Sequence, residues 1–219
     1  MPRNNAMPAD LVAYAAAHST RPDEIQQALI AATNERAEGF AGMQIGPDQG
    51  AFMTLLTTVL QVEFAVEVGT FTGYSALCIA RGLAPGGRLL CCDISEEWTS
   101  IGKQHWEMAG VSDRIDLRIA PAIETLRSLP PEPKIDLAFI DADKTGYMSY
   151  YEEILPRLSP RGVIVVDNTL WHGMVLEDSG AEDPDTAALR TFNDHVAADE
   201  RVETVLLTIG DGVTLIRHR

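Results

Sequence analysis

The stretch GVIVVDNTLWHG, residues 162–173, decides how this chain is read. Val163, Ile164, Val165 and Val166 form an unbroken β-branched run, the pattern of a strand buried on both faces. The run then enters Asp167 and Asn168, two hard oxygen donors side by side. IDLAFIDADK (135–144) repeats the arrangement, passing from Leu137–Ile140 into Asp141 and Asp143. Asp and Asn also open ordinary turns. Two hydrophobic strands that both end in acids are less easily explained that way, because ligands of open α/β sheets bind beyond the carboxyl ends of strands.

The rest of the chain supplies the sheet. Helical patterns over 8–17, 22–38 and 47–61 come first, the last with Pro47 at its start. Strands are then expected at 64–68, 88–93, 115–119, 135–140 and 163–166. Helices at 74–82, 96–109, 122–129 and 146–158 separate them, and another follows at 185–198. Two final strands, 202–208 and 213–217, flank IGDG, a hairpin turn, so the sheet ends antiparallel. This alternation predicts an α/β fold: a doubly wound, mostly parallel sheet of seven strands with right-handed crossovers. One domain over 1–219 is expected, with 1–61 a helical N-terminal region and 62–219 the core.

Composition narrows the function classes. A formal charge of −15 over 219 residues disfavours nucleic acid as a partner. No apolar run approaches a membrane span and the first 20 residues lack a signal-peptide core, so a soluble cytoplasmic protein is expected. Cys78, Cys91 and Cys92 form no CxxC pair and read as small core residues. His18, His105, His172, His195 and His218 show no metal-binding spacing. His105 and His195 are expected on helix surfaces, and His172 near the site. No G-x-S-x-G elbow is present, which argues against a serine hydrolase.

The first strand ends in VEVGTFTGYSAL (66–77), with Gly69 and Gly73 opening a helix. The third glycine of the dinucleotide fingerprint is missing, and residues 62–80 hold Glu63 and Glu67 but no Lys or Arg. A nucleoside-type ligand without phosphate, carrying positive charge, fits this turn better than a pyrophosphate. Asp93 ends the second strand and suits ribose hydroxyls. Its rival role is a helix cap, for which Ser95 competes. Sheet order would bring Asp141, Asp167 and Asn168 together near the glycine turn. Acids so close repel unless a cation compensates, and an all-oxygen set suits Mg²⁺, Mn²⁺ or Ca²⁺.

Taken together, VEVGTFTGYSAL, CCDIS (91–95), APA (120–122), the segment from Phe139 to Val175 and DERVETVLLTIGDGVTLIRHR (199–219) resemble one family. It is the cation-dependent, S-adenosylmethionine-using O-methyltransferases of the caffeoyl-CoA and catechol type, including small bacterial members. The likeness covers roughly residues 40–219. It implies a Rossmann-like seven-stranded methyltransferase fold and a homodimer. By position it places cofactor contacts at Ile45, Glu67, Gly69, Ser75, Asp93, Ala120, Asp141 and Asp143. Metal ligands fall on Asp141, Asp167 and Asn168, Lys144 is the base beside Asp141, and Lys144, Trp171 and His172 face the substrate. The family's asparagine in DNTLWNG is His172 here. The expected acceptor is a small vicinal-dihydroxy aromatic, and the acids of LEDSGAEDPD (176–185) argue against a coenzyme A ester unless bases such as Arg3 or Arg21 reach the rim. An NAD-dependent oxidoreductase and a non-catalytic metal- or nucleoside-binding module are the competing readings.

Overall fold

The structure, a computed structural model, describes residues 9–176 and 183–219. Its helices are α1 (Ala9–Ala17), α2 (Glu24–Arg36), α3 (Pro47–Val59), α4 (Tyr74–Gly82), α5 (Glu96–Met108), α6 (Ala122–Ser128), α7 (Tyr147–Ile154) and α8 (Pro184–Ala198). The strands are β1 (Phe64–Val68), β2 (Arg88–Asp93), β3 (Ile115–Ile119), β4 (Ile135–Ile140), β5 (Leu158–Val166), β6 (Val202–Leu207) and β7 (Val213–His218). They form one seven-stranded sheet in the order β3-β2-β1-β4-β5-β7-β6. All neighbours are parallel except β7, which runs antiparallel to both β5 and β6. The chain winds outward in one direction from β1 through β3 and in the other from β4, so the switch point lies between β1 and β4.

Every residue of β1 and β4 is buried, as the unbroken apolar runs require. Alternate residues face opposite layers. Val66, Val68, Ala138, Ile140, Ile164 and Val166 pack with α6, α7 and α8, whereas Ala65, Leu137, Phe139 and Val165 pack with α2 to α5. All three cysteines are buried and free.

Register places the strand ends. Val68 lies opposite Ile140, and Ile140 opposite Val166. Gly69, Asp141 and Asp167 therefore leave three adjacent strands at one level. The ladder runs one step further, with Asp141 N–H donating to Val68 O at 2.8 Å and Asp167 N–H to Ile140 O at 3.0 Å.

Some expectations need correction. β5 begins at Leu158 instead of 163: Leu158 pairs with Ile135, SPRG bulges out of the ladder, and pairing resumes between Leu137 and Val163. Helix α7 stops at Ile154, and Leu155–Arg157 tighten into a 3-10 turn around Pro156, which has no N–H to donate. His105 is not a surface residue. It is 8% exposed on the face of α5 that also buries Ile101, and its Nδ1 lies 2.8 Å from Ile101 O. Among the described residues no helix is long and apolar enough to cross a membrane.

Candidate active site

Two glycines shape the turn after β1. Gly69 has φ +89°, and a Cβ there would stand 1.9 Å from Asp141 O, so only glycine lets β1 turn across β4. Gly73 has φ +83°, with Trp106 Cζ2 2.6 Å from where a Cβ would sit. Trp106 Nε1–H in turn donates to Gly73 O at 3.0 Å. Asp93 ties down the loop between them. Its Oδ2 accepts from Thr70 N–H (2.9 Å) and Phe71 N–H (2.7 Å), and its Oδ1 from Ser95 N–H (2.8 Å). Ser95 is the helix cap, accepting from Trp98 N–H at 3.2 Å. Asp93 thus holds the glycine loop, and a carboxylate with about four acceptor sites keeps one for a ligand hydroxyl.

Glu67 lies beneath that loop, fully buried in β1. Its Oε2 accepts from Cys91 Sγ at 3.3 Å, and its Oε1 has no hydrogen-bond partner among the described residues. Gln44 Oε1 and Thr70 Oγ1 are likewise buried without partners, next in sequence to Ile45 and Gly69. Ser75 and Ile45 are buried, and Ala120 N–H donates to Asp93 O at 3.0 Å. A buried carboxylate oxygen left open beneath the loop, at Glu67, calls for a ligand that donates a hydrogen bond or carries positive charge.

The oxygen cluster stands beside it. Lys144 Nζ is buried and donates to Asn168 Oδ1 (2.6 Å), Tyr147 Oη (2.7 Å) and Asp141 Oδ1 (3.1 Å). Asp167 accepts from Asn168 N–H at Oδ1 and from Gln49 Nε2–H at Oδ2, both at 2.7 Å. Tyr147 Oη–H donates to Asp167 O at 3.1 Å. Asn168 takes φ +56°, a left-handed conformation that Asn tolerates better than most residues. Burial raises the Asp141 carboxyl above its usual range. Burial, with the Asp141 charge second, pushes Asp167 up to about 7.

The O-methyltransferase family profile matches residues 16–219. The chain belongs to that family. A Dictyostelium discoideum relative named "Probable caffeoyl-CoA O-methyltransferase 2" is 41% identical over 206 residues, covering 93% of this chain and 89% of its own. A Populus kitakamiensis caffeoyl-CoA O-methyltransferase is 34% identical over 210 residues, covering 91% and 89%. The SAH-bound structure of a Podospora anserina methyltransferase superposes with a TM-score of 0.87 at 28% identity, covering 100% of this chain and 98% of that one. A Bacillus cereus O-methyltransferase in complex with SAH gives 0.86 at 29%, covering 96% and 97%. The protein is an S-adenosylmethionine-dependent O-methyltransferase with the Rossmann-like fold of that group.

Other expected residues of this O-methyltransferase are placed less centrally. Asp143 is exposed and its Oδ1 accepts from Tyr150 Oη–H at 2.6 Å. The Trp171 ring centre lies 5.6 Å from Lys144 Nζ, at the edge of the cluster. The His172 side chain is 76% exposed, stacked on Trp171 and with Nδ1 3.5 Å from Asp211 Oδ2. Its backbone N–H donates to Asp211 Oδ1 at 2.7 Å. Of the acidic segment, residues 177–182 lie outside the described residues, as does Arg3. Gln49 and Asp211 escaped the sequence reading, since each meets the site only through contacts distant in sequence; Tyr147 escaped it although it lies three residues from Lys144, because a tyrosine on a helix reads as core.

Glu67 gives a test by pH. Burial pushes its carboxyl from 4.5 up to about 7. An acid whose pKa is raised on folding stays protonated in the native state, so stability falls as pH rises between those values and remains lowered above them. Glu67→Gln removes that loss without changing side-chain size. In thermal unfolding of the ligand-free protein, its advantage over wild type should be small near pH 4.5 and grow to roughly 2–4 kcal/mol by pH 8. A difference that does not change with pH would show that the native carboxyl titrates normally.

Proposed function

We propose that this O-methyltransferase transfers the methyl group of S-adenosylmethionine to one hydroxyl of a catechol-type, vicinal-dihydroxy aromatic molecule, with a divalent cation at Asp141, Asp167 and Asn168. Mg²⁺ is the first candidate, ahead of Mn²⁺ and Ca²⁺. One observation carries the reading: two half-buried side-chain oxygens, Asp141 Oδ1 and Asn168 Oδ1, already close on a cationic atom, Lys144 Nζ, one strand away from the glycine loop, with Asp167 next in the chain to Asn168. Hard oxygen donors of this kind suit Mg²⁺ and its relatives and suit Zn²⁺ poorly. For the cofactor, the matching observation is the unpartnered Glu67 Oε1 beneath the loop.

When bound, S-adenosylmethionine supplies an electrophilic methyl group, and the cation supplies the positive charge that favours a deprotonated hydroxyl. The chain's own residues do the rest. Glu67, Ser75 and Asp93 hold the cofactor by its polar groups, with Ile45 and Ala120 flanking it. Trp171 gives the aromatic acceptor an apolar wall. Lys144 takes the hydroxyl proton at Nζ. To do so its ammonium must first release one proton to solvent; two of its three hydrogens now lie on Asp141 and Asn168. Fixing both reactants at adjacent strand ends contributes a large part of the rate.

The test is a panel of phenolic acceptors with label on the cofactor methyl, with and without chelator. Catechol-type acceptors should be methylated, chelation should abolish transfer, and added Mg²⁺ or Mn²⁺ should restore it. Full activity in excess chelator would sink the cation. The acids of 176–185 support a free acceptor over a polyanionic ester. Caffeic acid should therefore compete well against its coenzyme A ester, and a clear kcat/KM preference for the ester would overturn that choice.

A further inference from the structure

The Gln49 side chain crosses from the N-terminal helices into the oxygen cluster. It sits in the first turn of α3, is 3% exposed, and donates from Nε2 to Asp167 Oδ2 at 2.7 Å across 118 residues of sequence. Its backbone is fixed by the next residue: a Cβ on Gly50 would stand 2.7 Å from Tyr74 Cε1 and 2.9 Å from Cys78 Sγ, so α3 lies hard against α4. Its other amide atom lies close to a glycine. Gln49 Oε1 stands 2.6 Å from where a Cβ on Gly210 would be, in the turn between β6 and β7. Reversing the amide would set oxygen against the Asp167 carboxylate, so the chemistry of the pair selects this orientation.

Asp167 is therefore gripped at both oxygens, by Asn168 N–H on Oδ1 and by Gln49 on Oδ2. Two donors on opposite oxygens fix the rotation of a carboxylate about its Cβ–Cγ bond. Both are neutral, so the full charge of Asp167 remains for a cation. A lysine or arginine at position 49 would neutralise it, and an acid would add to the repulsion already present between Asp141 and Asp167. We propose that Gln49 is the positioning residue for Asp167, presenting its carboxylate to the divalent cation from a helix outside the metal cluster. The inference rests on the cation reading above.

The test is Mn²⁺ binding by electron paramagnetic resonance to the full-length wild type, Q49A, Q49M and D167A. S-adenosylhomocysteine binding is measured by calorimetry on the same proteins. Q49M keeps the length of the side chain and loses only the amide, so it decides the matter if Q49A folds poorly. Both Gln49 variants should raise the Mn²⁺ Kd roughly 10–100-fold, the usual effect of removing a group that orients a metal ligand. Their affinity for S-adenosylhomocysteine should stay within about twofold of wild type, because Asp93 and Glu67 are untouched. Wild-type Mn²⁺ affinity in Q49M, with binding lost in D167A, would overturn the role of Gln49 alone. An equal loss of both ligands would also overturn it, marking Gln49 as general packing. Failure of the wild type to bind Mn²⁺ would bring down the cation reading and this inference with it.

Discussion

Replacing Asp167 by asparagine should reduce kcat/KM by roughly 10³-fold or more while S-adenosylhomocysteine still binds. A positioned cation is worth several kcal/mol of charge stabilisation, and each 1.4 kcal/mol is about tenfold in rate. Asparagine keeps the size of the side chain and an oxygen for one of the two incoming hydrogen bonds, so the loss reads the missing charge together with one displaced donor. The glycine loop is held elsewhere, by Asp93 on β2 and Trp106 on α5. The stability of the ligand-free variant relative to wild type should rise with pH, since burial and Asp141 disfavour the ionised Asp167 that asparagine removes. Steady-state kinetics at saturating Mg²⁺, calorimetry and thermal unfolding together check this. Retained activity in D167N would remove Asp167 from the chemistry.

Lys144→Met should lower kcat by about 10²–10⁴-fold, the range associated with a positioned general base. A second outcome separates its two roles. In the ligand-free protein the Lys144 ammonium is the internal counter-ion of Asp141, at 3.1 Å and with both side chains largely buried. Removing it leaves buried acid uncompensated, so the ligand-free variant should unfold at a lower temperature. Mn²⁺ would then meet no competing ammonium and should bind at least as tightly as to wild type. Weaker Mn²⁺ binding to K144M would show that Lys144 supports the cation site instead of competing for it.

Much of this site can be read in the sequence because period and position carry it. The runs at 64–68, 88–93, 115–119 and 135–140 are strands with those bounds in the structure. Once the order β1-β4-β5 is given, the residue after each run must emerge with its neighbours. Asp141, Asp167, Asn168 and Lys144 are brought together accordingly. Gln49 could not be found in this way. A glutamine in an amphipathic helix is ordinary, and its meaning comes only from a partner far along the chain. His105 was misread for a related reason: a polar residue on a helix suggests solvent, but its ring meets an acceptor one turn back and can be buried. Asp93 showed the opposite limit. Its place at the end of β2 was legible, whereas its grip on the glycine loop depends on a turn whose shape no pattern of hydrophobicity records.

The level exit of Gly69, Asp141 and Asp167 from three neighbouring strands has a consequence for how such an enzyme can diversify. Parallel strands stand about 4.8 Å apart, a spacing set by backbone hydrogen bonds and indifferent to side chains. The separation between the glycine loop and the oxygen cluster is therefore a property of the sheet. Surface segments can lengthen, shorten or change charge without moving it. On the proposed function, the exposed α1 and the turn from Trp171 to Leu176 can be rewritten for new acceptors, while the sheet keeps the distance a methyl group must cross.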